Sequence, residues 1–227
     1  MFELLKKYQR YHLTILLLVM SLICFSMSVF RVFFTKTEMF LFLNWNLFLA
    51  FIPWALSMIF MMKTNLHYKK WYVSIILITW LLFFPNAPYI LTDLFHLYDD
   101  NSVPVWYDLI MILAYAWTGL MFGFASLFNI EMFLKRFISR TWVHYISVLL
   151  LFMGGFGIYI GRYLRWNSWD VIQEPFKLIY NITSDIINPF SHPRAYAMTL
   201  LMGVLLNMFY WPIKAIEAGN REDKDVK

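Results

Sequence analysis

Six stretches of this chain are each long and apolar enough to cross a bilayer, and that pattern removes nearly every fold but one. A hydrocarbon core about 30 Å thick needs about 20 apolar residues of helix, and the runs 13–34, 40–62, 71–90, 105–128, 143–161 and 195–213 meet that length. None of the six carries a charge near its middle. Inside lipid the backbone donors must be satisfied within the segment, so each run is predicted to be a helix. Composition agrees: 61% of the 227 residues are hydrophobic and 15% charged, against about 25% charged in soluble domains. The predicted fold is all-α and polytopic. It has an N-terminal segment 1–12, one six-helix domain 13–213 and a tail 214–227. Lys6, Lys7 and Arg10 before the first run resemble the start of a signal peptide. The run is too long for one and no small-residue cleavage site follows, so a retained helix is expected.

Orientation follows from the basic residues. With the N-terminus inside, the inner segments hold Lys6, Lys7, Arg10, Lys63, Lys69, Lys70, Lys135, Arg136, Arg140, Lys214, Arg221, Lys224 and Lys227, which is 13 of the 19 Lys and Arg. The loop after the third run has no base and carries Asp93, Asp99 and Asp100. The excess of positive charge on one side predicts that both termini are cytoplasmic. The net charge of +5 is absorbed by this asymmetry, so no nucleic-acid partner is read from it. Trp45, Trp106, Trp166 and Trp169 fall at the expected outer interface, and Trp71, Trp142 and Trp211 at the inner one. Cys24 is the one cysteine, so no disulfide framework or multi-cysteine metal site exists.

On that topology four polar clusters share the outer side: Asn44 to Asn46, Pro85 to His96, Trp106 to Asp108, and Gly161 to Asp170. The third span departs most from an ordinary membrane helix. Pro85 and Pro88 remove two amide donors near its outer end and disfavour helix at Phe84 and Ala87. Asn86 can satisfy freed backbone groups locally, so the segment is either a self-capped kink or the wall of a polar cavity. Beyond it Tyr89, Asp93, His96 and Asp100 are spaced four, three and four, on one stripe of a resumed helix. An imidazole is the side chain that ordinarily titrates near neutrality, and a carboxylate at i−3 orients its ring. Asp93 and His96 are thus candidate acid and base, or a structural pair at the membrane surface.

Arg162 and Arg165 are three apart at the end of the fifth span, followed by Asn167 and Asp170. Guanidinium forks match carboxylate or phosphate oxygens, so the two arginines either pair with Asp93, Asp108 or Asp170 or bind an anionic headgroup. Gly119 and Gly123 in the fourth span, and Gly157 and Gly161 in the fifth, have the four-residue spacing that lets membrane helices approach. The expectation is that these two spans touch and set Asp108 beside Arg162. Between the fifth and sixth spans, residues 175–188 read as an amphipathic helix lying in the interface, started by Pro175 and ended by Asn188-Pro189.

The run Pro85-Asn86-Ala87-Pro88-Tyr89-Ile90 with Thr92-Asp93-Leu94, then Trp106-Tyr107-Asp108, Ala116 to Leu120, and Gly161-Arg162 with Arg165 to Asp170, resembles the bacterial multispanning proteins grouped as domain of unknown function 1361. The resemblance runs from about Asn44 to the last span. It implies a multi-pass protein of the bacterial cytoplasmic membrane and implies no particular reaction; any cofactor is left unassigned.

Three function classes follow. An enzyme or binding protein acting on a lipid or lipid-linked anionic substrate would use Asp93 and His96 as base and acid. Asn46, Asn86, Tyr89, Asp108, Arg162, Arg165, Asn167 and Asp170 would then bind it. A non-enzymatic scaffold or assembly subunit would use the same surface to hold a membrane partner. A transporter is disfavoured, because transporters place polar groups near the midplane on helices interrupted in both halves, and here one helix is interrupted at one end. A Gly-x-Ser-x-Gly elbow, a paired-histidine zinc helix and a phosphate loop are all absent from the sequence.

Overall fold

The computed structural model describes residues 11–63, 67, 69–98, 102–166, 173, 174, 176, 177, 180, 183 and 193–225. Its described secondary structure is helical throughout: α1 (Tyr11–Thr35), α2 (Phe42–Met62), α3 (Lys70–Phe83), α4 (Asn86–Tyr89), a 3-10 helix Ile90–His96, α5 (Val105–Leu134), α6 (Arg140–Arg162) and α7 (Pro193–Asp225). Among the described residues, six stretches are long and apolar enough to cross a membrane: Tyr11–Thr35, Phe42–Met62, Lys70–His96, Val105–Leu134, Arg140–Arg162 and Pro193–Ile216. The protein is an all-α, six-helix polytopic membrane protein. The chain divides into two compact units, Met1–Arg136 and Phe137–Lys227.

In the first unit the buried residues of α1 are Leu17, Cys24, Ser28 and Arg31, one narrow stripe at helical spacing. The rest of α1 is lined with exposed apolar side chains such as Leu18, Leu22, Phe25 and Phe33, as a lipid-facing helix requires. α5 is the central helix and is buried along most of its length, with Met111, Ile112, Tyr115 and Leu127 at 0% exposure. α1 runs antiparallel to it, since Cys24 meets Thr118 and Arg31 meets Asp108. α2 runs parallel to it, with Asn44 against Tyr115 and Ser57 against Asn129. α5 continues past Phe128 to Leu134 because its later polar side chains find partners: Asn129 donates to Ser57 and Glu131 pairs with Lys135.

α3 ends at Phe83 because Pro85 has no amide to continue the ladder. The side-chain amide of Asn86 donates instead to the Phe83 carbonyl at 3.0 Å. α4 then leads into the 3-10 helix, where Thr92 Oγ1 donates to the Tyr89 carbonyl at 2.7 Å. This piece lies directly on α5: a Cβ added at Gly119 would stand 2.8 Å from the Ala87 carbonyl oxygen, and one at Gly123 2.8 Å from the Ala87 Cβ. The glycines of the fourth span, expected to face the fifth, therefore receive the proline-containing segment. A helix pair can close on any small-residue face of sufficient length, and here the broken end of the third span takes it.

In the second unit α6 packs on α7. Gly155 faces the backbone of Thr199 and Gly203, and Leu151, Ile158 and Leu206 are buried at 0%. His144 stacks on Trp211 with ring centroids 4.1 Å apart, and Lys214 lies 4.4 Å above the Trp211 ring. The expected interfacial helix at 175–188 falls largely outside the described residues.

Candidate functional site

Buried and partly buried polar contacts gather in three sets toward the end of the first unit that holds the α1–α2 loop, the 3-10 helix and the start of α5. The strongest is Arg31 with Asp108. Arg31 Nε donates to Asp108 Oδ1 at 2.7 Å and Nη2 to Oδ2 at 3.1 Å, with both side chains 1% exposed. This is the bidentate fork that makes arginine the usual partner of a buried carboxylate. Nη1 donates to Thr37 Oγ1 and to the Met39 carbonyl, both at 3.2 Å. The guanidinium carbon sits 4.6 Å above the Phe40 ring. Arg31 thus ties α1 to α5 and also holds the loop in which Lys36 and Phe40 have φ of 57° and 67°.

Both oxygens of Asp108 are held by Arg31, within the first unit. Sequence reasoning missed Arg31 because it lies in the last turns of an apolar run. Its signal was present: it follows Cys24 and Ser28 at helical spacing of four and three, on the same stripe.

A second set of contacts sits one layer below. Asn44 Nδ2 donates to Ser28 Oγ at 3.0 Å, and Tyr115 Oη donates to Asn44 Oδ1 at 2.7 Å. Tyr107 Oη donates to the Met27 carbonyl at 2.8 Å, and Cys24 Sγ lies 3.4 Å from Thr118 Oγ1. These are interhelical hydrogen bonds of the kind that hold membrane helices in register.

The third element is the 3-10 helix on α2. Asn46 Nδ2 donates to Asp93 Oδ2 at 2.8 Å, and the His96 ring meets Phe42 edge-on at 5.6 Å. Asp93 is 1% exposed; His96 and Asn46 are half-buried. The register has a simple cause. Three residues of 3-10 helix rise about 6 Å at 2.0 Å each, and four residues of α-helix rise about 6 Å at 1.5 Å each. Asp93 and His96, three apart, therefore match Asn46 and Phe42, four apart. An α-helical 90–96 segment would place the pair about 4.5 Å apart along its axis and lose one of the two rungs.

Of the remaining candidates, Asn86 and Tyr89 are half-buried at the turn between α3 and the 3-10 helix. Arg162 closes the last turn of α6 and is half-buried, and Arg165 is exposed with φ of 56°, both in the second unit. Asn167 and Asp170 lie outside the described residues. Among the described residues no group of three or more His, Cys, Asp or Glu is arranged to hold a metal ion.

Comparison with known proteins adds one finding. A family model described as "Protein of unknown function (DUF1361)" matches residues 45–209, well over half of the chain. The chain belongs to this family. DUF1361 is a bacterial family of multi-pass membrane proteins, and its model spans the chain from Trp45 in α2 to Phe209 in α7. Arg31 and Asn44 lie before the matched stretch, whereas Asn46, Asp93, His96 and Asp108 lie inside it. No curated protein and no solved structure matches the chain.

Proposed function

We propose that the end of the first unit bearing Asn46, Asn86, Tyr89, Asp93 and His96 faces the extracytoplasmic side and binds the polar part of a lipid or lipid-linked substrate. The observation that carries this reading is Asp93. It is a carboxylate at 1% exposure, oriented by the Asn46 amide and presented by a 3-10 turn. Ionisable side chains buried in spanning segments cost free energy, about 2.5–3.5 kcal/mol on insertion scales at a helix centre and less toward its end, and are functional-site candidates for that reason. Asp108 is explained otherwise: both of its oxygens engage Arg31, which supports a framework role. Asp93 and His96 are successive residues on one edge of the 3-10 helix and would act as base and acid if the ligand reacts. The distribution of 13 of 19 basic residues supports the orientation. In the second unit, Arg162 and Arg165 are proposed separately to bind phosphate oxygens of an anionic headgroup, with Asn167 and Asp170 continuing that polar stretch.

The test is lipid retention. Wild type and Asp93→Asn are purified in mild detergent, and phosphatidylglycerol and phosphatidylethanolamine are titrated by native mass spectrometry. A charged hydrogen bond contributes about 1.5 kcal/mol, so the variant is expected to bind the preferred lipid about tenfold more weakly, with unchanged melting. Equal binding by the two proteins, with either lipid, refutes the reading and favours the scaffold alternative.

A further inference from the structure

We propose that Asn129 marks a second polar site, a receptor for a single internal water, far along α5 from the Asp93 cluster and independent of it. Asn129 is 1% exposed and its partner Ser57 is at 0%; Ser126, one turn earlier on α5, and the Trp80 that donates to it are at 0% and 1%. Ser57 lies five residues before the end of α2, about 8 Å along the helix. The node is thus buried about one and a half turns inside the end of a helix long and apolar enough to cross a membrane.

Every donor in this node is spent. The Ser57 hydroxyl donates to the Trp54 carbonyl at 2.8 Å, and the Ser126 hydroxyl to the Gly123 carbonyl at 2.7 Å. Trp80 Nε1 donates to Ser126 Oγ at 3.1 Å. Asn129 Nδ2 donates to Ser57 Oγ at 2.9 Å and approaches Met58 Sδ at 3.3 Å. Asn129 Oδ1, buried beside them, accepts from no described group. A buried amide oxygen left in this way carries a desolvation cost that an apolar side chain would avoid.

Reversing the amide does not remove the requirement. Ser57 has no hydrogen left to give and a thioether has none, so a reversed Oδ1 would face two acceptors while Nδ2 took its place without one. Either orientation calls for the same small polar occupant at the same position. Water can donate or accept, and buried waters typically make two to four hydrogen bonds. Asn129 Oδ1 has two lone pairs, and Ser57 Oγ keeps one after its two bonds. Both favour a molecule that donates twice.

Met58 makes the proposal readable. Hydroxyl radicals generated by X-ray pulses from a bound water oxidise a neighbouring methionine sulfur. Met58, Met61 and Met111 are 6%, 4% and 0% exposed, so exposure alone predicts similar, low rates for all three. The experiment is radiolytic labelling of the full-length protein in detergent micelles, read by peptide mass spectrometry. Met58 is expected to oxidise several-fold faster than Met61 and Met111. Asn129→Leu, which keeps the volume and removes both polar atoms, should bring Met58 down to the rate of Met61. Ser57→Ala serves the same comparison if the leucine variant does not fold. Wild-type Met58 reacting no faster than Met61 overturns the proposal, as does rapid labelling of Met58 that persists in the variant.

Discussion

Replacing Asp108 by Asn should destabilise this protein by about 3–5 kcal/mol, because it leaves a buried guanidinium without its counter-ion. The substitution keeps side-chain shape and removes one charge. The Arg31 and Asp108 side chains are 1% exposed and share two hydrogen bonds, at 2.7 and 3.1 Å. Hydrogen bonds to charged groups contribute about 1.5–3 kcal/mol each, so weakening both is consistent with that range. Arg31 keeps Thr37, the Met39 carbonyl and the Phe40 ring, and the effect is therefore not expected to exceed it. Converting both partners to apolar residues, Arg31→Met with Asp108→Leu, removes the charges together. That double variant should lose about 2–3 kcal/mol less than the sum of its two single variants. Unfolding in mixed micelles by increasing dodecyl sulfate, followed by far-ultraviolet circular dichroism, measures all five proteins: wild type, Asp108→Asn, the two apolar single variants and their double. A cost for Asp108→Asn below about 1 kcal/mol, or additivity within about 0.5 kcal/mol, would refute a buried, coupled pair.

Three further outcomes are expected. In a Cys24-free background, single cysteines at Asn101 and Asn181 should react with an impermeant reagent from outside, and those at Asn65 and Ser139 should not; external labelling at Asn65 would invert the orientation. Gly155→Ala places a Cβ 2.8 Å from the Thr199 carbonyl oxygen and 2.9 Å from the Gly203 amide nitrogen, so α6 and α7 must separate. Overpacking of about 1–3 kcal/mol exceeds the roughly 1 kcal/mol gained in helix propensity, and a thermal-shift assay should show a lower Tm. His96→Gln keeps a hydrogen-bonding side chain and loses proton exchange near neutral pH; folded protein that fails to complement a deletion strain under envelope stress supports proton chemistry, while full complementation removes His96 from the site.

The candidate site was only partly legible before the fold. Asn46, Asp93 and His96 were recognisable as polar residues near the ends of apolar runs. That Asn46 holds Asp93 was not, because the match depends on residues 90–96 adopting a 3-10 rise rather than the α-helical stripe expected for Tyr89, Asp93, His96 and Asp100. Arg31 was passed over entirely. A guanidinium in an apolar run gains a meaning only when a carboxylate 77 residues away lies within 2.7 Å of it.

What the chain determined by itself is its set of helices. Backbone hydrogen bonding in lipid is local to each segment, so an apolar run of sufficient length is a helix whatever its neighbours are. The asymmetry of Lys and Arg is likewise read directly from composition between runs. Tertiary structure decided which faces and charges meet. Gly119 and Gly123 fit any close partner, and the proline-containing end of the third span, with Ala87 and Ile90, is the one that packs on them. Asp108 fits any guanidinium, and α1 supplied one by crossing α5 antiparallel, with both side chains buried so that water does not compete for either charge.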